Sequence, residues 1–152
     1  MKFKAAIEAT RGLEQAFRPG LQALQNSDRN RITAIDARKL AGSANIDEAL
    51  RAACPNEPRW DYSIGLKRAG NQPEKVFWLE VHPATEGQIK TVLTKLSWLK
   101  SWLAAVNSPL VQLDREYIWI ASGKTSFTAQ SAQAKQLAIH GIQCVGRHFA
   151  IG

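Results

Sequence analysis

The sequence predicts an α/β fold: a mixed sheet in which an antiparallel hairpin is followed by helix, strand, helix and strand, with helices packed on the sheet. Three observations predict it. First, Arg59 to Lys67 and Lys75 to His82 read as strands, joined by a turn containing Gly70, Asn71 and Pro73. Second, a helix from Thr85 places Ile89, Val92, Leu93, Leu96, Leu99 and Leu103 on one face. Third, the aromatic and β-branched run Tyr117-Ile118-Trp119-Ile120 follows that helix. Strands joined through a helix are normally parallel, with a right-handed crossover. The apolar helix face must lie on the sheet, since leaving it wet would cost several kcal/mol.

In chain order, Phe3, Ile7, Leu13 and Phe17 have near-helical spacing between Lys2 and Phe17, and Pro19-Gly20 stops that helix. From Leu21 to Leu40 the pattern is poor; Asn26 to Arg31 is a polar loop and Gly42-Ser43 a further break. Residues 1–44 are therefore expected to be a helical and irregular extension, and 45–152 the core of a single 1–152 domain. Asn45 caps a short helix over Asp47 to Cys54, and Pro55 closes it. In the first hairpin strand Trp60, Tyr62, Ile64 and Leu66 alternate with Asp61, Ser63, Gly65 and Lys67. Pro83 ends the second strand, and Thr85 with Gln88 has capping-box spacing. Trp98 and Trp102 flank the long helix, which ends before Asn107. Ala129 to His140 is a further helix, stopped by Gly141, and Ile142 to Ile151 a last strand.

A chain of 152 residues can bury about two-thirds of its unfolded surface in one core. With 45% hydrophobic and 22% charged residues, disorder throughout is excluded. No apolar run approaches the roughly 18 residues of a membrane span, and no secretory apolar stretch follows Met1. A cytoplasmic protein is expected, with Cys54 and Cys144 reduced and packed rather than bridged. The net charge of +7 favours anionic partners, of which nucleic acid is the commonest. No six-residue basic block occurs, so a basic patch must be assembled by the fold; Arg29, Arg31, Arg38 and Lys39 are its candidates. Trp78 and Trp119 belong to the core, while Trp60 and Trp98 are the tryptophans available for exposure. Association into a homo-oligomer stays open.

The chemistry concentrates in residues 59 to 84. Asp61 opens one hairpin strand; Glu80 and His82 share a face near the end of the other. A carboxylate in an apolar strand is costly unless paired, so Glu80 calls for a metal or a cation such as Lys67 or His82. Two convergent carboxylates suit Mg²⁺ or Mn²⁺.

Asp61, then Glu80-Val81-His82, then the helix from Thr85 resembles the PD-(D/E)XK nuclease superfamily, with its restriction-endonuclease-like fold, over residues 47 to 152. The resemblance implies metal-dependent phosphodiester cleavage, with Asp61 and Glu80 as metal ligands and Val81 giving a backbone carbonyl. It also places Glu48, on the preceding helix, where some members add an acid to the site. The chain departs from the pattern in two places: Trp60 precedes Asp61, and His82 stands where the family has lysine. A histidine there can act as general base or donate to phosphate. Alternatively a helix lysine substitutes, Lys90 being best placed and Lys95 lying further along, towards the Trp flank. The alternative function is a catalytically inactive relative that binds nucleic acid or protein.

Overall fold

In the computed structural model, which describes residues 1–152, six strands form one mixed sheet and two more form a small parallel pair. The elements run α1 (Phe3–Glu8), β1 (Phe17–Arg18), α2 (Asn26–Arg29), β2 (Ile32–Ala34), β3 (Leu40–Asn45), α3 (Ile46–Leu50), β4 (Tyr62–Leu66) and β5 (Lys75–His82). They continue with α4 (Ile89–Ala105), β6 (Arg115–Ala121), α5 (Ala132–Ile139), β7 (Ile142–Cys144) and β8 (Phe149–Ile151). The large sheet has the order β1-β3-β4-β5-β6-β7. Its first four strands are antiparallel neighbours, and β5, β6 and β7 are parallel. The α/β fold and mixed sheet are those the sequence predicts.

The two sheet faces carry separate cores. Under α4, Trp60, Trp78 and Trp119 pack with Val92, Leu96, Leu99 and Leu103, joined by Phe3 and Ile7 of α1. On the opposite face Tyr62, Ile64, Phe77, Leu79, Ile118 and Ile120 meet Leu24, Ile32 and Ile151. The β2–β8 pair and the 21–34 segment thus form a third layer.

Residues 1–44 enter the fold more deeply than an extension would. β1 and β3 add two strands to the sheet, and β2 pairs in parallel with β8. The amino-terminal helix covers only Phe3–Glu8; Gly12, at φ 95°, turns the chain so that Phe17 becomes a strand residue. The predicted last strand is divided, Ile142–Cys144 joining the large sheet and Phe149–Ile151 the small pair. Both edges of the large sheet are short, two residues in β1 and three in β7.

Asn45 caps α3 as expected, its Oδ1 accepting from Glu48 N at 2.9 Å. Thr85 does not cap α4: its side chain makes no cap bond, and a short 3₁₀ turn over Glu86–Gln88 leads into the helix. Gln88 is drawn off to His82 instead. Cys54 and Cys144 are unpaired. No helix is long and apolar enough to cross a membrane.

Candidate functional site

Asp61 lies just before β4, where four hydrogen bonds fix the chain. Its carbonyl accepts from Ile46 N at 2.9 Å and Asp47 N at 3.3 Å, the free donors that open α3. Arg59 clamps the preceding turn, donating to Asp47 Oδ1 at 2.9 Å and to Cys54 O at 2.6 Å. Strand alternation begins only at Tyr62, so Trp60 and Asp61 both turn towards α4. Trp60 is fully buried, in edge contact with Tyr117, and is not the tryptophan available for exposure that the sequence predicts.

Glu80 sits in the middle of the sheet on that same face, with no solvent exposure at all. Two side chains approach it, Lys95 and His82. The Lys95 ammonium, from α4, donates to Glu80 Oε2 and also reaches Asp61 Oδ1 at 3.4 Å. His82 Nδ1 lies 3.6 Å from the same Oε2, while its Nε2 pairs with Gln88 Oε1 at 2.6 Å. The other oxygen of Asp61 accepts from Val81 N at 3.0 Å. Asp61, Glu80, Val81 and His82 thus converge, Val81 entering through its N–H.

The helix lysine that meets the carboxylates is Lys95, not Lys90. Lys90 is exposed and forms no ion pair, because at 100° per residue it points about 160° away from buried Val92. Lys95 lies about 60° from Val92, at the margin of the buried arc and over the sheet. That angle was the available sequence signal. Glu48 stays apart: it is exposed, its carboxylate contacts only Asn45 Nδ2 at 3.3 Å, and it lines a separate groove with Gln15 and Arg18. Lys67 pairs with neither carboxylate.

Electrostatically the cluster is short of positive charge. Two ionised carboxylates and one ammonium leave one negative charge in a buried place. Burial pushes the Glu80 carboxyl well above its usual range, and the Asp61 charge adds to this against the opposing pull of Lys95. Burial also raises Asp61, again opposed by Lys95 and by the Val81 N–H. Burial works against the charged form of Lys95, but the two carboxylates outweigh it and raise its pKa. Glu80 Oε1 is buried without a hydrogen-bond partner. That orphaned acceptor and the unbalanced charge both fit a cation or a proton.

No three His, Cys, Asp or Glu side chains enclose a common point as a closed metal cage would require. A pair of carboxylate ligands is the donor set that suits Mg²⁺ or Mn²⁺, which keep several waters, and is too few for a structural zinc site. The expected basic patch is dispersed. Arg29 and Arg31 are half-buried and donate to the carbonyls of Leu24 and Ala121, while Arg38 pairs with Asp36.

What the fold and site define is a mixed α/β sheet with a carboxylate–lysine–histidine cluster under its long helix. No protein-family model matches the chain, and no match is found among curated proteins or solved structures.

Proposed function

We propose that the chain is a nuclease-like protein that hydrolyses phosphodiesters in nucleic acid, using Mg²⁺ or Mn²⁺ held by Asp61 and Glu80. The observation that carries this reading is the convergence of Asp61, Glu80 and Lys95, with Glu80 Oε1 left buried and unpartnered. When bound, the divalent cation supplies charge neutralisation on the phosphodiester and a more acidic water.

The chain's own residues supply the rest. Val81 N–H and the start of α3 fix Asp61, one through its carboxylate and the other through its carbonyl. Lys95 shares the carboxylates and is placed to donate to a phosphate oxygen brought to them. His82, oriented by Gln88, presents Nδ1 to the cluster and can take or give a proton there.

Calorimetric titration with Mn²⁺ tests the reading directly. The protein should bind the ion, and Asp61→Ala or Glu80→Ala should lose that binding. Intact DNA and RNA across divalent metals, together with no heat of Mn²⁺ binding, would end it.

A second reading is favoured by one observation, the complete burial of Glu80 beneath Lys95. On that reading the cluster is a closed ion triad in a protein that binds nucleic acid without cutting it. Salt-sensitive binding with no cleavage, unchanged by metal, would select it.

A further inference from the structure

Beside the carboxylate cluster lies a cavity of about 320 Å³ at the carboxyl ends of the parallel strands. Its floor continues the row that holds Glu80. Glu80 is in register with Trp119 on β6, and Trp119 with Cys144 on β7. With strands about 4.8 Å apart, the cavity begins one strand from the Glu80 backbone. Trp119 and Phe127 form its inner wall, edge to face at 81° with centroids 5.4 Å apart. Ala129, Thr128 and Gln130 form the rim, and Arg147 stands at the mouth with one guanidinium nitrogen on Gly123 O at 2.6 Å.

The cavity and the cluster are also tied through the chain. Trp119 Nε1 donates to His82 O at 3.0 Å. Ser126 N donates to Ala84 O at 2.8 Å, and Glu86 N to Ser126 Oγ at 3.0 Å. The loop that roofs the cavity is thereby fixed to the turn that carries His82 and Gln88.

We propose that this cavity receives one unpaired nucleobase of a single-stranded nucleic acid whose adjoining phosphate lies at the carboxylate cluster. Apolar walls suit the faces of a base; the Thr128 and Gln130 side chains suit its polar edge. The Arg147 guanidinium keeps donors free for a phosphate. A base inside a duplex is stacked and paired and cannot enter a walled cavity without leaving the helix. A single strand presents its bases unpaired. The position of the phosphate rests on the nuclease-like reading above, but base capture needs no metal and is measured without it.

The test is fluorescence anisotropy of a labelled single-stranded 12-mer, as DNA and as RNA, against the same sequence as duplex, in EDTA. AMP and inorganic phosphate serve as competitors, separating capture of the base from capture of phosphate alone. The single strand should bind at least tenfold more tightly than the duplex, and AMP should compete where phosphate does not. Ala129→Leu, which fills the rim, should weaken single-strand binding at least tenfold and leave Mn²⁺ binding unchanged. Should that variant fold poorly, Gln130→Ala at an exposed position should weaken binding in the same selective way. Equal binding of duplex and single strand, or competition by phosphate as strong as by AMP, overturns the proposal. Strand binding that depends on Ala129 without any Mn²⁺ binding would uphold the cavity and remove the metal centre. Mn²⁺ binding with no single-strand preference would do the reverse.

Discussion

Lys95 meets Glu80 across the interface between α4 and the sheet, and the same ammonium holds Asp61. Its removal leaves two buried carboxylates facing each other. Losing one partner of a buried pair typically costs about 3–5 kcal/mol. Lys95→Met should therefore lower stability by about 3 kcal/mol at pH 7, measured by urea denaturation. On the proposed nuclease reading it should also remove cleavage while Mn²⁺ binding survives or tightens. A variant as stable as the parent would show that the ammonium is not buried against Glu80.

The raised carboxyls give stability a definite pH slope. A carboxyl whose pKa is higher folded than unfolded takes up a proton on folding. The contribution of Glu80 is therefore fully present below its ordinary 4.5, and is lost as pH rises through the folded value. Asp61, raised from 3.8, acts in the same direction. Lys95, raised above 10.5, keeps its contribution until strongly alkaline pH. The melting temperature should fall between pH 5 and pH 8, and Glu80→Gln should flatten that fall. A melting temperature rising steadily over this range would contradict the burial of Glu80.

Mn²⁺ should act against that slope. On the proposed reading a cation at Asp61 and Glu80 would replace the missing positive charge, so its stabilisation should grow from pH 5 to pH 8 as protons cease to compete. Thermal melts with and without Mn²⁺ read this directly; a pH-independent shift would place the ion elsewhere.

Gly65 faces Phe3 so closely that an added Cβ would sit 2.3 Å from the ring's Cγ. Phe3 is fully buried and has nowhere to move. Gly65→Ala should cost about 2 kcal/mol through overpacking, read as a lower urea midpoint at constant slope.

Tyr62 donates its hydroxyl to Asp28 Oδ2 at 2.5 Å, and burial together with this bond raises the phenol's pKa. Tyr62→Phe should cost about 2 kcal/mol, the range for hydrogen bonds to charged groups. Amide exchange should quicken in α2, which that bond ties to the sheet.

The legible parts of the sequence were those where side-chain chemistry and period agreed. Lys75 to His82 is the strand its composition announces, and Glu80 stands out as one carboxylate among apolar neighbours. β3 was hidden because it is made of Leu-Ala-Gly-Ser-Ala-Asn, small residues with little strand preference. Their smallness is what the fold uses: at Gly42 a Cβ would lie 2.2 Å from the Phe17 ring. Trp60 lies before the first residue of β4, so its side chain packs under α4 rather than on the Tyr62–Ile64 face that the alternating pattern assigns to it. Gln88 had the spacing of a capping partner, but the tertiary contact with His82 took its side chain. Of the cluster, the two carboxylates and the histidine could be read from one hairpin. The lysine required knowing which arc of a distant helix would rest on it.

The brevity of β1 and β7 has a consequence for how the molecule behaves in company. A sheet is open to fibril-like growth where a long outer strand offers a row of free amides and carbonyls. Here one outer strand offers two residues and the other three, so the molecule has little with which to template another chain. Crowded preparations should consequently stay free of cross-β aggregates while the native state persists.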